Sequence, residues 1–205
     1  MGRKEDIYAA ALNLFARNGF RATTTAAVAR EAGVAEGLIF HHFQSKSGIL
    51  MAILNEVADD FLGQAEKAIE KSVSGLDAIE SIVRLHFRFH EKRLLEFTVL
   101  MQELPWEMNR SGSPAAEAMR RRLSGLLSRM SECIEEGVRD GSIRADLDPE
   151  DTALVIHSLV TGLIRTIREI PGLKVNPGIE DQTFTFLRAA LLPGRHGDNA
   201  NRPGP

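Results

Sequence analysis

The sequence has a single cysteine and no long apolar run, and each shortage excludes a class of protein. Cys133 has no partner for an intramolecular disulfide, which favours a reducing compartment. No window approaches the ~18 consecutive apolar residues of a membrane span, and the N-terminus lacks the uninterrupted apolar core of a signal peptide. We therefore expect a cytoplasmic protein with no membrane association.

Neither sign of charge is in large excess. The net charge of −3 argues against a protein that coats nucleic acid. The distribution is uneven, because the first 48 residues hold six lysines and arginines but four acidic residues. This mild basic bias is compatible with contact to phosphates. The composition, 43% hydrophobic and 26% charged, is that of an ordinary globular protein. We also expect no cofactor.

Apolar residues recur with helical spacing, and the sequence shows neither the alternation of strands nor an internal repeat. The fold class is therefore predicted to be all-α. A first domain over residues 1–48 contains a helix-turn-helix at about 24–43 and continues into a long helix over 46–71. A larger helical domain is predicted over 49–193, with helices at about 76–92, 93–105, 114–139, 149–170 and 178–192. The Gly/Pro/Asn-rich tail, 194–205, is predicted to be disordered.

Two short helical segments flank Gly33, and neither is long enough to be stable alone. Packed at a steep angle across a third helix, they form a helix-turn-helix. The apolar residues predicted to form their shared core are Val28, Ala29, Ala32, Val34, Ile39 and Phe43. The second helix of such a motif enters the DNA major groove, while the first crosses the backbone. The hydroxyls of Thr24 and Thr25, at the start of the first helix, suit either a helix cap or a phosphate.

Residues 7–54 resemble the DNA-binding domain of the tetracycline-repressor (TetR) family of transcriptional regulators. The matching positions are Asn18-Gly19-Phe20, Thr24-Thr25, Ala32-Gly33-Val34, Gly37, Ile39, Phe40, His42, Phe43 and Lys46. The resemblance implies a homodimer whose larger domain binds a small molecule and whose last two helices form the interface. It also implies that backbone phosphates are held by Thr24, Thr25, Phe40, His42 and Lys46, and that Glu36, Gly37, Leu38 and His41 lie near the bases.

Two positions depart from the family pattern. Ala35 replaces a frequent serine, which removes a helix cap or phosphate contact, and Phe40 replaces a tyrosine, which removes a hydroxyl. Glu36 is able to accept a hydrogen bond from a cytosine amino group but repels phosphate, so it trades affinity for specificity.

The larger domain offers candidates for a ligand pocket. Aromatic and methionine side chains at helical spacing are typical of a core, but they also suit an apolar pocket. The candidate ligand-binding residues are His86, Phe87, His90, Phe97, Met101, Trp106, Met119 and His157. Because His86 and His90 are four residues apart and share a helix face, a metal-responsive regulator is an alternative, although no third ligand is apparent.

Small and apolar residues in the segments 149–170 and 178–192 predict close helix packing between two subunits, or else closure of one subunit. We interpret the sequence as a ligand-responsive, homodimeric DNA-binding regulator, with a repressor favoured. It would bind a palindromic operator and leave it when a small molecule binds. A helical metalloenzyme is the alternative from another class, and we expect no enzyme activity.

Overall fold

The computed structural model describes residues 2–108, 114–170 and 172–194. These residues form nine α-helices and no strand, which confirms the all-α prediction. The helices are α1 Arg3–Asn18, α2 Thr25–Glu31, α3 Gly37–Phe43, α4 Lys46–Ile69, α5 Gly75–Lys92, α6 Leu94–Met108, α7 Pro114–Asp140, α8 Pro149–Glu169 and α9 Ile179–Leu191. The predicted disordered tail lies outside the described residues except for its first residue, Gly194.

Local signals in the sequence account for several helix boundaries. The hydroxyls of Thr24 and Ser45 and the carboxylate of Asp148 each accept a hydrogen bond from a backbone N–H of the first turn that follows. α1 ends where Gly19 takes a φ of 80°, a conformation that costs glycine little. α3 has no side-chain cap at its N-terminus, where the N-cap residue is Glu36 and the residue before it is Ala35.

The apolar residues separate into two cores, and α4 contributes to both. In the first core, Ile7 and Phe15 of α1 pack with Ile39 of α3 and with the first half of α4, as far as Val57. The second core lies among α5, α7, α8 and α9 and includes Ala65 from the second half of α4. The predicted division after residue 48 therefore lies within a helix that is shared by the two cores.

Ion pairs fix the helices around α4. Arg93, at the junction of α5 and α6, lies 2.7 Å from Asp60 and 2.9 Å from Glu56 of α4, and its Nε lies 3.2 Å from Glu96. Arg122 and Arg129 of α7 pair with two further α4 carboxylates, described with the ligand cavity below. None of the helices in the described part of the chain is long and apolar enough to cross a membrane.

Gly48 sets the approach of α3 to α4. A Cβ at this position would overlap the carbonyl oxygen of Phe43, the last residue of α3. Gln44, between the two helices, has a φ of 65°, so the chain reverses within a very short connection. The orientation of α3 on α4 therefore depends on the absence of a side chain at position 48.

We expect Gly48→Ala to lower the free energy of unfolding by about 1–3 kcal/mol, because backbone atoms must move to accommodate the methyl group. Gly63→Ala is the matched control, since a Cβ at Gly63 in the same helix meets nothing within 4 Å. That control should raise the free energy of unfolding by about 0.5–1 kcal/mol. Urea denaturation measures both, and a Gly48→Ala protein as stable as wild type would contradict the steric argument.

Candidate DNA-binding surface and ligand cavity

α2 and α3 form the predicted helix-turn-helix. Gly33, with a φ of 64°, makes the turn, and the N–H of Val34 donates to the carbonyl of Ala29 at 3.0 Å. Of the six predicted core residues, Val28, Ala29, Ile39 and Phe43 are buried, whereas Ala32 and Val34 are half-buried. The two short helices are thus held together by a shared apolar seam over α1 and α4.

The outer side of α3 carries most of the residues predicted to lie near DNA. Glu36, Gly37, Phe40 and His41 are exposed, and the Phe40 ring is 50% accessible. Leu38 and His42 are half-buried: Leu38 packs partly against the first core, and the His42 ring is in edge-to-face contact with Phe43 at 6.5 Å. These residues form one continuous outward face, which we call the α3 face.

The two threonines at the start of α2 have different partners. The hydroxyl oxygen of Thr24 accepts from the N–H of Ala27 at 3.1 Å and so caps the helix. The hydroxyl of Thr25 donates to Oε1 of Glu36 at 2.5 Å. Two residues predicted to contact DNA independently, Thr25 and Glu36, are therefore bound to each other, and this contact joins the start of α2 to the start of α3.

Lys46 is directed inward, although the sequence predicted a phosphate contact. Its Nζ donates to the carbonyl oxygens of Phe20 at 2.8 Å and Thr23 at 2.7 Å, and it lies 4.3 Å from the centre of the Phe20 ring. Two of the three ammonium donors are therefore used to close the loop between α1 and α2 onto α4.

Glu103 of α6 holds the same loop from the other domain. Its side chain is 9% exposed, and its Oε1 accepts from the backbone N–H of Phe20 at 3.1 Å. The peptide groups on both sides of Phe20 are thus held by Glu103 and by Lys46. Glu103 was not predictable as a contact of this loop, because nothing local signals an interaction between residues 83 positions apart.

A cavity of about 390 Å³ lies among α4, α5, α6, α7 and α8. Five of the predicted ligand-binding residues line it, namely His86, Phe97, Met101, Met119 and His157. Most of the other described lining residues are apolar, and Val57 and Phe61 of α4 are among them. The cavity wall therefore includes α4, the helix against which the helix-turn-helix also packs.

Three predicted pocket residues are not placed at the cavity. Phe87 is buried in the second core, because successive residues of a helix point about 100° apart and the cavity side of α5 is that of His86 and Phe89. The His90 ring packs instead against the Phe97 ring, 5.1 Å between centres. The side chain of Trp106 lies outside the described part of the structure.

The histidines of the cavity are uncharged at neutral pH. Burial lowers the pKa of His86 to about 4, and burial also lowers the pKa of His157. Nδ1 of His86 lies 2.9 Å from the carbonyl oxygen of Ile82, to which it donates. No group of three or more His, Cys, Asp or Glu side chains among the described residues is arranged to hold a metal ion.

Arginines lie at the wall of the cavity on α7 and α8. Arg122 lines it and also pairs with Asp59 of α4 through Nε at 2.8 Å and Nη2 at 3.2 Å. Two helical turns further on, Arg129 pairs with Glu66 of α4 at 3.2 Å. Arg122 thus connects the cavity to α4, and it was missing from the predicted pocket because an arginine on a charged helix has no distinctive signature.

Two family models match the chain. Residues 7–53 match "Bacterial regulatory proteins, tetR family", and residues 75–168 match "Tetracyclin repressor-like, C-terminal domain". The first match covers the helix-turn-helix and the start of α4, and the second covers α5 to α8, whose side chains line the cavity.

A curated relative is the HTH-type transcriptional repressor KstR2 of Mycolicibacterium smegmatis, 27% identical over 146 residues that cover 71% of this chain and 70% of the relative. Among solved structures, the ketosteroid transcriptional regulator KstR2 of Mycobacterium tuberculosis aligns with a TM-score of 0.79, 19% identity and coverage of 94% of this chain and 96% of that chain. AibR, solved in complex with isovaleryl coenzyme A and operator DNA, aligns with a TM-score of 0.73, 17% identity and coverage of 92% and 97%.

The second helix of the helix-turn-helix, α3, is exposed as the recognition helix of such a motif must be. α4 joins this motif to a helical domain with an apolar cavity. Together these features define a DNA-binding regulator with a ligand domain. The chain belongs to the TetR family, as the two family matches show. Like the relatives that it matches, it is a transcriptional regulator and not an enzyme.

We expect Lys46→Met to lower the free energy of unfolding by about 1–3 kcal/mol, because two carbonyls lose their donor. DNA affinity should fall through misplacement of α2, while the dependence of affinity on salt stays near that of wild type. Lys71→Met is the control, because Lys71 is exposed and lies two residues beyond the end of α4. This variant should change neither the free energy of unfolding nor the DNA affinity. If Lys46 instead contacts phosphate, the slope of log affinity against log salt concentration will fall by about 1, with stability unchanged.

Proposed function

We propose that the protein binds a palindromic operator as a homodimer and leaves it when an effector fills the cavity. Recognition helices that read two half-sites on one side of DNA must lie about 34 Å apart, one helical turn. The observation that carries the proposal is the position of α4, which supports α3 at one end and forms the cavity wall further along. Such a regulator would act in the cytoplasm, where bacterial DNA lies.

The proposed subunit interface is formed by α8 and α9. Leu154 and Val155 of α8 are 50% and 62% exposed, and Phe186 of α9 is 60% exposed. Large apolar side chains at such exposure on two consecutive helices are typical of a surface that a partner covers. Paired with their symmetry mates, the two helices would form a four-helix interface.

On DNA, we assign base contacts to the start of the α3 face and backbone contacts to its flanks. A Cβ at Gly37 would meet no atom within 4 Å, so this position is open and the backbone is free to approach the groove closely. Glu36 and Leu38 would lie near base edges together with His41. Thr24, Thr25, Phe40 and His42 would lie along the phosphates, and Lys46 would act from within by holding the loop before α2.

Selection from a randomised DNA pool tests this assignment. We expect wild-type protein to select an inverted repeat, and Glu36→Gln to change the preferred base at one position of each half-site, a difference worth about 1–3 kcal/mol. The variant should also bind non-specific DNA more tightly, because a negative charge is removed near phosphates. Glutamine still accepts from Thr25, so the start of α3 keeps its local contact.

Glu70→Gln, at the far end of α4, is the control for loss of a carboxylate and should select the same repeat as wild type. Identical selected sequences for wild type and Glu36→Gln would contradict the base-reading role of Glu36. A single, unrepeated half-site in the wild-type selection would contradict the dimeric operator complex.

The effector would act by displacing α4 and α6 relative to each other. Both helices line the cavity, and both hold the loop before α2, through Lys46 and Glu103. A ligand that fits the cavity better with these helices in a second arrangement shifts the population toward it by its difference in affinity. Because α2 and α3 move with the loop and with α4, the spacing of the two recognition helices would no longer fit the operator.

The effector class that the cavity favours is an apolar organic molecule with few polar groups. Its described wall is mostly aliphatic and aromatic, and about 390 Å³ is a volume typical of small-molecule sites. One structural neighbour is a ketosteroid transcriptional regulator, and another was solved with isovaleryl coenzyme A, whose acyl group is apolar although its coenzyme A part is charged. A steroid or acyl body is the chemistry that we propose for this chain.

We expect Gly162→Leu to abolish release of DNA by an effector while operator binding is kept. Because Gly162 lies seven residues from Val155 and so on nearly the same side of α8, size-exclusion chromatography of the variant must first show that the proposed dimer is intact. Gly162 of α8 lines the cavity, and a Cβ there meets nothing within 4 Å, so the leucine grows into the ligand space. Fluorescence anisotropy of labelled operator, with steroid and acyl coenzyme A ligands, gives the measurement.

Gly125→Leu is the matched control, because Gly125 of α7 also has no atom within 4 Å of a Cβ but does not line the cavity. It lines an adjoining groove beside Ala65 and Ile69, which shares Leu62, Arg122 and Leu126 with the cavity. This variant should retain the response of wild type. A Gly162→Leu protein that still releases DNA at the same ligand concentration would place the effector elsewhere.

A further inference from the structure

Two imidazole rings interrupt the apolar wall of the cavity. His86 of α5 and His157 of α8 both line it, and their ring centres lie 5.6 Å apart in an edge-to-face arrangement. Phe61 of α4 packs against the His86 ring at 4.6 Å. The two histidines therefore form a polar pair on a mostly apolar wall, whose other polar side chains among the described residues are Arg122, Ser158, Thr161 and Arg165.

The hydrogen-bonding role of each His86 nitrogen is fixed by its surroundings. Nδ1 must carry a proton, because its partner, the Ile82 carbonyl oxygen at 2.9 Å, is only an acceptor. His86 is 5% exposed, and burial keeps the ring neutral by lowering its pKa to about 4. A neutral ring with a proton on Nδ1 has a lone pair on Nε2, and none of the described residues donates to it.

His157 has a second unused polar atom. Its Nδ1 is enclosed and has no hydrogen-bond partner among the described residues. A buried polar atom without a partner lowers stability, so a ligand that supplies a partner gains affinity. His86 and His157 together offer a fixed acceptor beside a ring whose tautomer is free to adapt.

We propose that the effector is an apolar alcohol, whose hydroxyl group donates to Nε2 of His86 and lies beside His157. This inference rests on the proposed role of the cavity and names the polar group that the cavity selects. A hydroxyl suits the pair because it both donates and accepts, whereas a ketone or an ether offers only lone pairs to the His86 lone pair.

Charged groups do not fit at this end of the cavity. A carboxylate would meet the His86 lone pair, and an ammonium would lack a counter-ion, since no acidic side chain is among the described residues that line the cavity. Two arginines among the described residues line the cavity: Arg122 of α7, which pairs with Asp59, and Arg165, eight positions and therefore about 12 Å along α8 from His157. An anionic group on the effector would lie toward that end.

The test uses three probes of similar size: 1-octanol, 2-octanone and methyl heptyl ether. Entry into the cavity is followed by nuclear magnetic resonance of 13C-labelled methionine methyl groups, because Met101 and Met119 both line it. We expect wild-type protein to prefer 1-octanol over the ether by about fivefold more than the His86→Phe protein does. Comparing the two proteins cancels differences in how water solvates the probes.

His90→Phe is the control, since it makes the same change on the same helix at a ring that packs on Phe97 and does not line the cavity. It should keep the wild-type preference. A second measurement needs no variant: the 15N resonance of His86 Nε2 in wild-type protein should move when 1-octanol binds and stay in place with the ether.

The possible outcomes distinguish failure of the hydroxyl inference from failure of the cavity's proposed role. If the methionine signals report binding of all three probes but His86→Phe leaves the preference unchanged, the cavity binds ligands and the hydroxyl inference is overturned. It is likewise overturned if the Nε2 resonance does not respond to bound 1-octanol. If no probe moves either methionine signal, the proposed role of the cavity fails, and the inference fails with it.

Discussion

The structure depends on α4 being one uninterrupted helix that belongs to two hydrophobic cores. Its 24 residues span about 36 Å, with Ile49 to Val57 in the first core and Ala65 in the second. Phe61, midway, packs against both cores. Because protein cores are close-packed, the first half of α4 cannot shift alone without opening a gap. The position of the DNA-binding helices is therefore tied to the packing around the cavity.

A second connection runs through the backbone of Phe20. Its N–H is held by Glu103 of α6, and its carbonyl is held by Lys46 of α4. The loop that leads into α2 is thus attached to two cavity helices and not only to its own domain. If the loop were attached to α4 alone or to α6 alone, it would move with that helix. Because it is attached to both, a displacement of α4 relative to α6 must change its position or break one of the hydrogen bonds. This arrangement favours a response to small shifts between α4 and α6.

The parts of the fold that were predictable are those with local signals. Helical periodicity, the caps at Thr24 and Ser45 and the turn at Gly33 all act within a few residues, so the sequence alone was sufficient to locate the helices. The contact of Lys46 with Phe20 joins residues 26 apart, and that of Glu103 with Phe20 joins residues 83 apart. No local pattern encodes such pairs. On α5 the sequence identified the candidate residues but did not show which side of the helix faces the cavity. Phe87 is buried in the second core and does not line the cavity.

Residues 1–48 hold six lysines and arginines against four acidic residues, Lys46 is directed inward, and Glu36 places a carboxylate on the α3 face, so the positive charge available to phosphates at each half-site is modest. Phosphate contacts supply most of the affinity of a DNA-binding protein, so a single half-site should be held weakly. In the proposed dimer, tight binding then depends on two half-sites being engaged together, and this gain is lost when the geometry forbids simultaneous contact. A regulator built in this way needs only a small change in the spacing of its recognition helices to release DNA. In the proposed mechanism, weak half-sites and the link between the cavity and α2 would act together, because each would lower the displacement that an effector must produce.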